Sequence, residues 1–354
     1  MPARPTLNLR LPEQASGLLL LVATALALVW ANLGPSYEHV LGAVRPLVDD
    51  GLMTIFFLGV GLEIRKEIAV GVLSDARRAA LPLFAAAGGM LVPALVFASL
   101  NRGPDAHGWG IPTATDIAFA LAVVTAMRAP PALRALLLAL AVLDDVGAIL
   151  VIAFAYAGHV DLVGLLVALG GIALVYALRR ARGLHVLAGV LVWYGLHRAG
   201  IHPTLAGVIV GLLTPVAMGA RIESALRPWT AFGIMPLFAL TNAGVALGGL
   251  RVDMITAGAA LGLAVGKPIG VLSASWLAVR LGIARRPDGL GWRGIAWMGL
   301  AAGVGFTMAI FIAGLAFPSG SALASAKVGV LVGSLLSALA ALGVGRLAAR
   351  RRST

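Results

Sequence analysis

The apolar positions of this chain fall in long continuous runs, as in Gly258–Val265. Outer-membrane strands would alternate polar and apolar positions, and these do not. A bilayer crossing by a helix needs about 20 mainly apolar residues, with a range of roughly 17–25. Read on that scale, the chain divides into twelve segments: about 15–34, 46–63, 79–100, 111–127, 134–157, 161–178, 184–198, 203–217, 229–248, 254–279, 294–316 and 325–345. The seventh and eighth are short and suit tilted or partly buried helices. The pattern predicts an all-α membrane protein of about twelve transmembrane helices, forming a single transmembrane domain over 1–354.

Composition agrees with the pattern. Hydrophobic residues make up 60% of the 354 and charged residues 12%, against about 45–50% and about 25% in soluble domains. Mean hydropathy is +0.97 over the whole chain, so the apolar residues are not gathered in one tail. The net charge of +12 would suit a nucleic-acid binder, but the basic residues sit in short connections between apolar runs. With the N-terminus inside, twenty-one Lys and Arg fall on the inner side and five on the outer, the latter being Arg45, Arg102, Arg198, Arg251 and Lys327. The positive-inside rule then predicts both termini in the cytoplasm. The first segment has a basic start and Ala-Leu-Ala at 25–27, as a signal peptide would. Its apolar run continues through Trp30 and Ala31, so it reads as a retained span. The chain has no cysteine, which removes disulfides, thiolate metal sites and thiol catalysis.

Four charges lie deep inside apolar sequence: Asp116, Asp144, Asp145 and Lys267. Each costs about 2.5–3.5 kcal/mol at a helix centre, so together they cost on the order of 10 kcal/mol before pairing or hydration. Stability is a weak reason to keep them, because buried pairs often do no better than apolar residues. The bland alternative is an ion pair that holds helices in register. Asp144 and Asp145 are adjacent, so their side chains diverge by about 100° on a helix and cannot share one role. Two carboxylates this close repel, and desolvation disfavours both charges. Such a pair can hold protons, and it can bind a small hard cation through the same oxygens. That competition is the minimal chemistry of an antiporter.

Two segments carry breaks. The fourth begins Gly110-Ile111-Pro112-Thr113-Ala114-Thr115-Asp116, where proline and threonines weaken the helix and free backbone groups. The eleventh holds Gly299, Gly303, Gly305 and Thr307, which suit either a break or close packing. These would be the middle members of two inverted triplets, about 79–157 and 254–345, with broken helices crossing near the midplane. There Asp116 can neutralise positive half-helix ends and Lys267 negative ones.

At these residues the sequence resembles the NhaA family of bacterial sodium/proton antiporters, for which the inverted repeat is a known property. The matching stretches are Phe56–Glu63, Ala114–Leu121, Leu143–Ile149, His202–Gly211, Asn242–Val245, Gly266–Gly270 and Gly305–Met308. They follow the family order and cover nearly the whole chain. The resemblance implies an inner-membrane secondary transporter, not an enzyme, without a cofactor. It would exchange sodium or lithium for protons electrogenically and serve pH and sodium homeostasis. It casts Asp145 as the cation and proton carboxylate, with sodium also reaching Asp144, the partner of Lys267. It places Thr115 and Asp116 at the helix crossing. It makes Glu63, Glu67, Glu223 and His202 candidates for pH response.

Its implied partners are sodium, protons and membrane lipid, with no nucleic acid. The connection Gly34–Arg45 is too short for the β-hairpin the family uses in dimer contact, so a homodimer would need another route. Segment Glu223–Pro228 also lacks the family's histidines there. An intramembrane aspartyl protease would need Tyr-Asp and Gly-x-Gly-Asp contexts, which Asp116 and Asp144 lack. A passive channel would show flux uncoupled from protons. A carrier of an organic substrate is disfavoured by the tight acidic site and few aromatics.

Overall fold

The computed structural model describes residues 13–156, 160–181, 184–246, 248 and 252–350. Among these, helices account for all the regular structure and no strand occurs. Helix α1 (Glu13–Leu33) is followed by the short α2 (Ser36–Gly42), which occupies the connection Gly34–Arg45. A π-helical turn, Leu47–Leu52, leads into α3 (Met53–Val70). Helix α4 (Ala76–Leu100) is capped by Asp75, whose side chain accepts from Arg77 N at 2.8 Å.

The fourth predicted segment is indeed interrupted, but it starts earlier than its apolar run suggested. A 3-10 helix, Gly103–Thr113, is followed by extended residues and then by α5 (Ile117–Ala126), with a 48° bend between the two pieces. Next come α6 (Pro131–Ala155), α7 (Leu162–Leu178) and α8 (Leu184–Arg198). The short α9 (Leu205–Leu213) ends at Thr214 and Pro215. There α10 (Val216–Trp229) begins and runs through a π turn, Thr230–Ile234, into α11 (Met235–Asn242). Helix α12 (Met254–Leu261) passes through a π turn, Gly262–Gly266, into α13 (Lys267–Arg280). Finally α14 (Trp292–Ala302) and α15 (Phe306–Ala316) meet at a 50° bend, and α16 (Ser321–Arg350) closes the order.

Among the described residues, five helices are long and apolar enough to cross a membrane, and up to seven if each bent pair counts as one span. Helices α7, α8 and α1 turn leucines such as Leu166, Leu187 and Leu18 outward, as lipid-facing helices do. Contacts inside the bundle use small residues so that backbones approach closely. At the α4–α13 crossing, a Cβ on Gly270 would lie 2.0 Å from Gly88 O, and one on Gly88 would lie 2.3 Å from Gly270 O. Between α3 and α9, a Cβ on Gly207 would meet Thr54 O at 2.1 Å. One basic residue departs from its expected position. Lys327, counted by sequence with the outer charges although the segment of about 325–345 already contained it, lies inside α16 and is 6% exposed. The apolar run around it is broken by small polar residues, which hid where the helix begins.

Candidate functional site

The two bent pairs meet at their breaks. The residue after the first break, Asp116, donates its backbone N–H to Val304 O at 2.7 Å, inside the second break. Thr115 Oγ1 lies 2.8 Å from Ala302 O, the last residue of α14. Breaking a helix in a bilayer frees backbone groups that water cannot satisfy, and here each break supplies partners to the other.

Asp116 serves two helix starts. Its Oδ1 accepts from Phe119 N at 3.0 Å and caps α5. Its Oδ2 accepts from Thr307 N at 3.3 Å and from the Thr307 hydroxyl, at the start of α15. A carboxylate facing two N-terminal dipoles is the favourable sign. Lys267 faces the opposite polarity. Its ammonium donates to Thr113 O, the last carbonyl of the 3-10 helix. It also lies 2.8 Å from Asp144 Oδ2, with both side chains fully buried. The Thr115 hydroxyl donates to the same Asp144 oxygen. Three of the charges singled out from sequence, Asp116, Asp144 and Lys267, therefore converge with Thr115 on one crossing.

Asp145 differs from its neighbour. It is 4% exposed, and among the described residues no group donates a hydrogen bond to its carboxylate. Asp144 Oδ1 is likewise buried without a partner. Two successive residues of α6 thus present carboxylate oxygens that no protein donor satisfies. Such oxygens suit a proton or a hard cation, which bind oxygen lone pairs. Among the described residues no three His, Asp or Glu side chains are grouped as a resident metal site requires.

The remaining candidates separate into two places. Glu223 is 3.7 Å from Lys66 and 2.7 Å from Arg227, and Glu63 lies within the electrostatic reach of Glu223, Lys66 and Arg227. Glu67 accepts from Val72 N at 2.7 Å and fastens the turn after α3. These three carboxylates share the C-terminal end of α3. His202 sits at the other end. Its Nδ1 pairs with Thr204 Oγ1 at 2.8 Å, its Nε2 is 3.7 Å from Asp50 Oδ1, and its ring packs edge-on against Phe311. Sixteen residues separate Asp50 from Lys66, about 24 Å along a helix.

Sequence reasoning missed several members of these clusters. Thr307 stood out only as part of a possible break, and its pairing with Asp116 across 191 positions had no local signal. Asp49, which accepts from Asn242 Nδ2 at 2.7 Å, and Asp50 looked like span-end charges. Ser334 and Ser337 on α16 were not singled out at all. The signal available for them was their spacing of three, which puts both on one helix face.

Comparison with known proteins bears on what this crossing does. A family model described as Na+/H+ antiporter 1 matches residues 9–344. A "Na(+)/H(+) antiporter NhaA 2" of Sorangium cellulosum is 45% identical, over 96% of this chain and 88% of that protein. A "Na(+)/H(+) antiporter NhaA" of Bordetella petrii is 44% identical, over 96% and 89%. An "NhaA 2" of Pseudomonas syringae is 45% identical, over 96% and 94%.

Proposed function

Because the chain belongs to the Na+/H+ antiporter 1 family, it is a multi-pass membrane transporter and not an enzyme, and we propose that it exports sodium or lithium in exchange for protons by alternating access. Asp145 is the carboxylate that takes a proton or a cation, never both. The observation that carries this reading is the contrast at α6. Asp144 Oδ2 is engaged by Lys267 and Thr115, while among the described residues Asp144 Oδ1 is buried without a partner and no side chain or backbone group donates to Asp145. In the cycle, sodium entering from the cytoplasm displaces protons from these oxygens. Protons arriving from outside then displace sodium. More protons enter than sodium ions leave, so the inside-negative potential drives the exchange, which serves pH and sodium homeostasis.

The membrane architecture in this reading is an inverted repeat of twelve spans. Its support is the matching composition of two triplets. In each, a long helix is followed by a bent pair and then by another long helix: α4, Gly103–Ala126, α6, and α12–α13, Trp292–Ala316, α16. The bends of 48° and 50° fall in the middle member of each. Asp116 and Lys267 compensate the opposed half-helix ends, and Thr115 ties the crossing to Asp144. Glu63, Glu67 and Glu223 form the cytoplasmic pH-responsive cluster, and His202 acts from the outer end of α3. Both termini lie in the cytoplasm, as the distribution of Lys and Arg supports. Annular lipid is the expected surrounding partner, and a homodimer would form without a hairpin between α1 and α3.

The test is proton flux in everted vesicles or proteoliposomes holding a pH gradient, with sodium, lithium and then potassium added. Wild type is expected to dissipate the gradient with sodium and lithium, and Asp145→Asn is not. No sodium response at any pH from about 6.5 to about 9 would overturn the exchange. Normal sodium response in Asp145→Asn would overturn the site.

A further inference from the structure

The π turn Gly262–Gly266 immediately precedes Lys267, and it leaves one backbone carbonyl in difficulty. In an α-helix Leu263 O would accept from the N–H of Lys267, but that N–H bonds to Gly262 O instead. In the π register Leu263 O would accept from residue 268, and Pro268 has no N–H. Both regular donors are therefore unavailable to a fully buried residue. The missing donor comes from another helix. Ser337 Oγ on α16, itself 0% exposed, donates to Leu263 O at 3.2 Å. The Cα of Gly303 packs into the same place, where a Cβ would lie 2.3 Å from Ser337 Oγ and 2.5 Å from Leu263 O.

One turn earlier on α16, Ser334 Oγ accepts from Phe306 N at 3.0 Å. Phe306 opens α15 with φ +25°, which side chains rarely adopt, and Thr307 follows it onto Asp116.

We infer that Ser337 is a positioning residue for Lys267, holding the π turn that aims its ammonium at Asp144 and Thr113. One residue of helical register turns a side chain by about 100°. If the π turn relaxed to α, Leu263 O would recover its own donor, and Lys267 would swing away from the crossing. Ser337 removes the incentive to relax by satisfying Leu263 O in the π register. Ser334 does the matching work on the second broken helix, stabilising the start of α15 and so the approach of Thr307 to Asp116. The proposal rests on the reading of Lys267 and Asp144 given above and adds the group that sets their register.

The experiment compares wild type, Ser337→Ala and Lys267→Ala in proteoliposomes. It measures half-saturating sodium, maximal rate and the pH profile of each. Ser273→Ala on α13, a serine that bonds only within its own helix, serves as the control. Loss of the Ser337 hydroxyl is expected to change half-saturating sodium about two- to tenfold, the weight of one hydrogen bond to a buried carbonyl. It should also move the pH profile in the direction that Lys267→Ala moves it, while Ser273→Ala changes neither. A profile and half-saturation in Ser337→Ala equal to wild type, with Lys267→Ala altered, would overturn the role of Ser337 and leave the antiport site standing. A wild-type profile in Lys267→Ala would overturn both. A fall in maximal rate alone, with half-saturation and profile unmoved, would mean loss of folded protein and also overturns the proposal.

Discussion

Lys267 Nζ stands 2.8 Å from Asp144 Oδ2, on a helix more than a hundred positions away, and water reaches neither side chain. The pair leaves α6 with one committed carboxylate and one free carboxylate in succession. Removing only the lysine would leave Asp144 with a buried charge, or oblige it to take up a proton. Lys267→Met is therefore expected to lower stability by about 3–5 kcal/mol, whereas Lys267→Met with Asp144→Asn should recover much of the loss. Thermal unfolding of the purified variants in detergent checks this. If the double variant loses as much as the two single losses together, the pair does not act as a unit.

Asp116 holds two helix starts, so its partners should matter unequally. Thr307→Val keeps the backbone N–H bond to Asp116 and deletes the hydroxyl donor. The cost expected for a buried hydrogen bond to a charged group is about 1.5–3 kcal/mol. Thr307→Ser should stay near wild type in both stability and antiport. Equal loss in the Val and Ser variants would mean that the threonine methyl, and not its hydroxyl, is what counts.

Much of this site could be read from the chain because its cost is local. Asp116, Asp144, Asp145 and Lys267 each interrupt an apolar run, and a charge in such a run is visible without any structure. The first break was equally legible, since Pro112 and two threonines sit in one helical turn. The second break was ambiguous because Gly303 has two jobs. It lies where the helix ends, and it admits Ser337 and Leu263 to within packing distance. What was not legible is register. The π turn before Lys267 has no composition of its own, and Pro268 suggests a helix start as readily as an orphaned carbonyl. Ser334, Ser337 and Thr307 act on residues far along the chain, so only the fold reveals their partners. Lys327 was misplaced for a related reason, because hydropathy cannot tell a lysine at a helix start from one buried within its first turns.

The α4–α13 crossing offers a steric test of the same machinery. A Cβ at Gly270 would sit 2.0 Å from Gly88 O, a contact that only backbone movement can relieve. Gly270 is three residues beyond Lys267, so separating the helices would carry the ammonium away from Asp144. Gly270→Ala is expected to cost about 1–3 kcal/mol through overpacking and to abolish antiport. Gly314 on α15 has nothing within 4 Å of a new Cβ. Gly314→Ala should be neutral, or stabilising by about 0.5–1 kcal/mol as expected for alanine in a helix. Similar behaviour of the two variants in melting and flux would contradict the packing argument.

Acid stability should report on the cap of α12. Asp253 precedes that helix and lies outside the membrane-spanning segments. Partial burial works against its charge, but the bonds it accepts outweigh this: Ser325 Oγ at 2.7 Å, Thr256 N at 2.9 Å and Thr256 Oγ1 at 3.0 Å. The carboxyl is therefore held below its ordinary value of 3.8. A carboxylate depressed in the folded state binds fewer protons there than in the unfolded chain. Its contribution is complete above the unfolded value and is lost as pH falls through the folded one. The exposed part of the site is screened by solvent, so the effect is modest. Asp253→Asn is expected to melt below wild type near pH 7, with the gap narrowing as pH falls to about 3. Ser325→Ala should reproduce part of the neutral-pH loss, because it removes the shortest of the three bonds. Melting curves across that range, taken in one detergent at fixed salt, decide the matter: a gap that stays constant with pH would show that Asp253 acts by shape and not by charge.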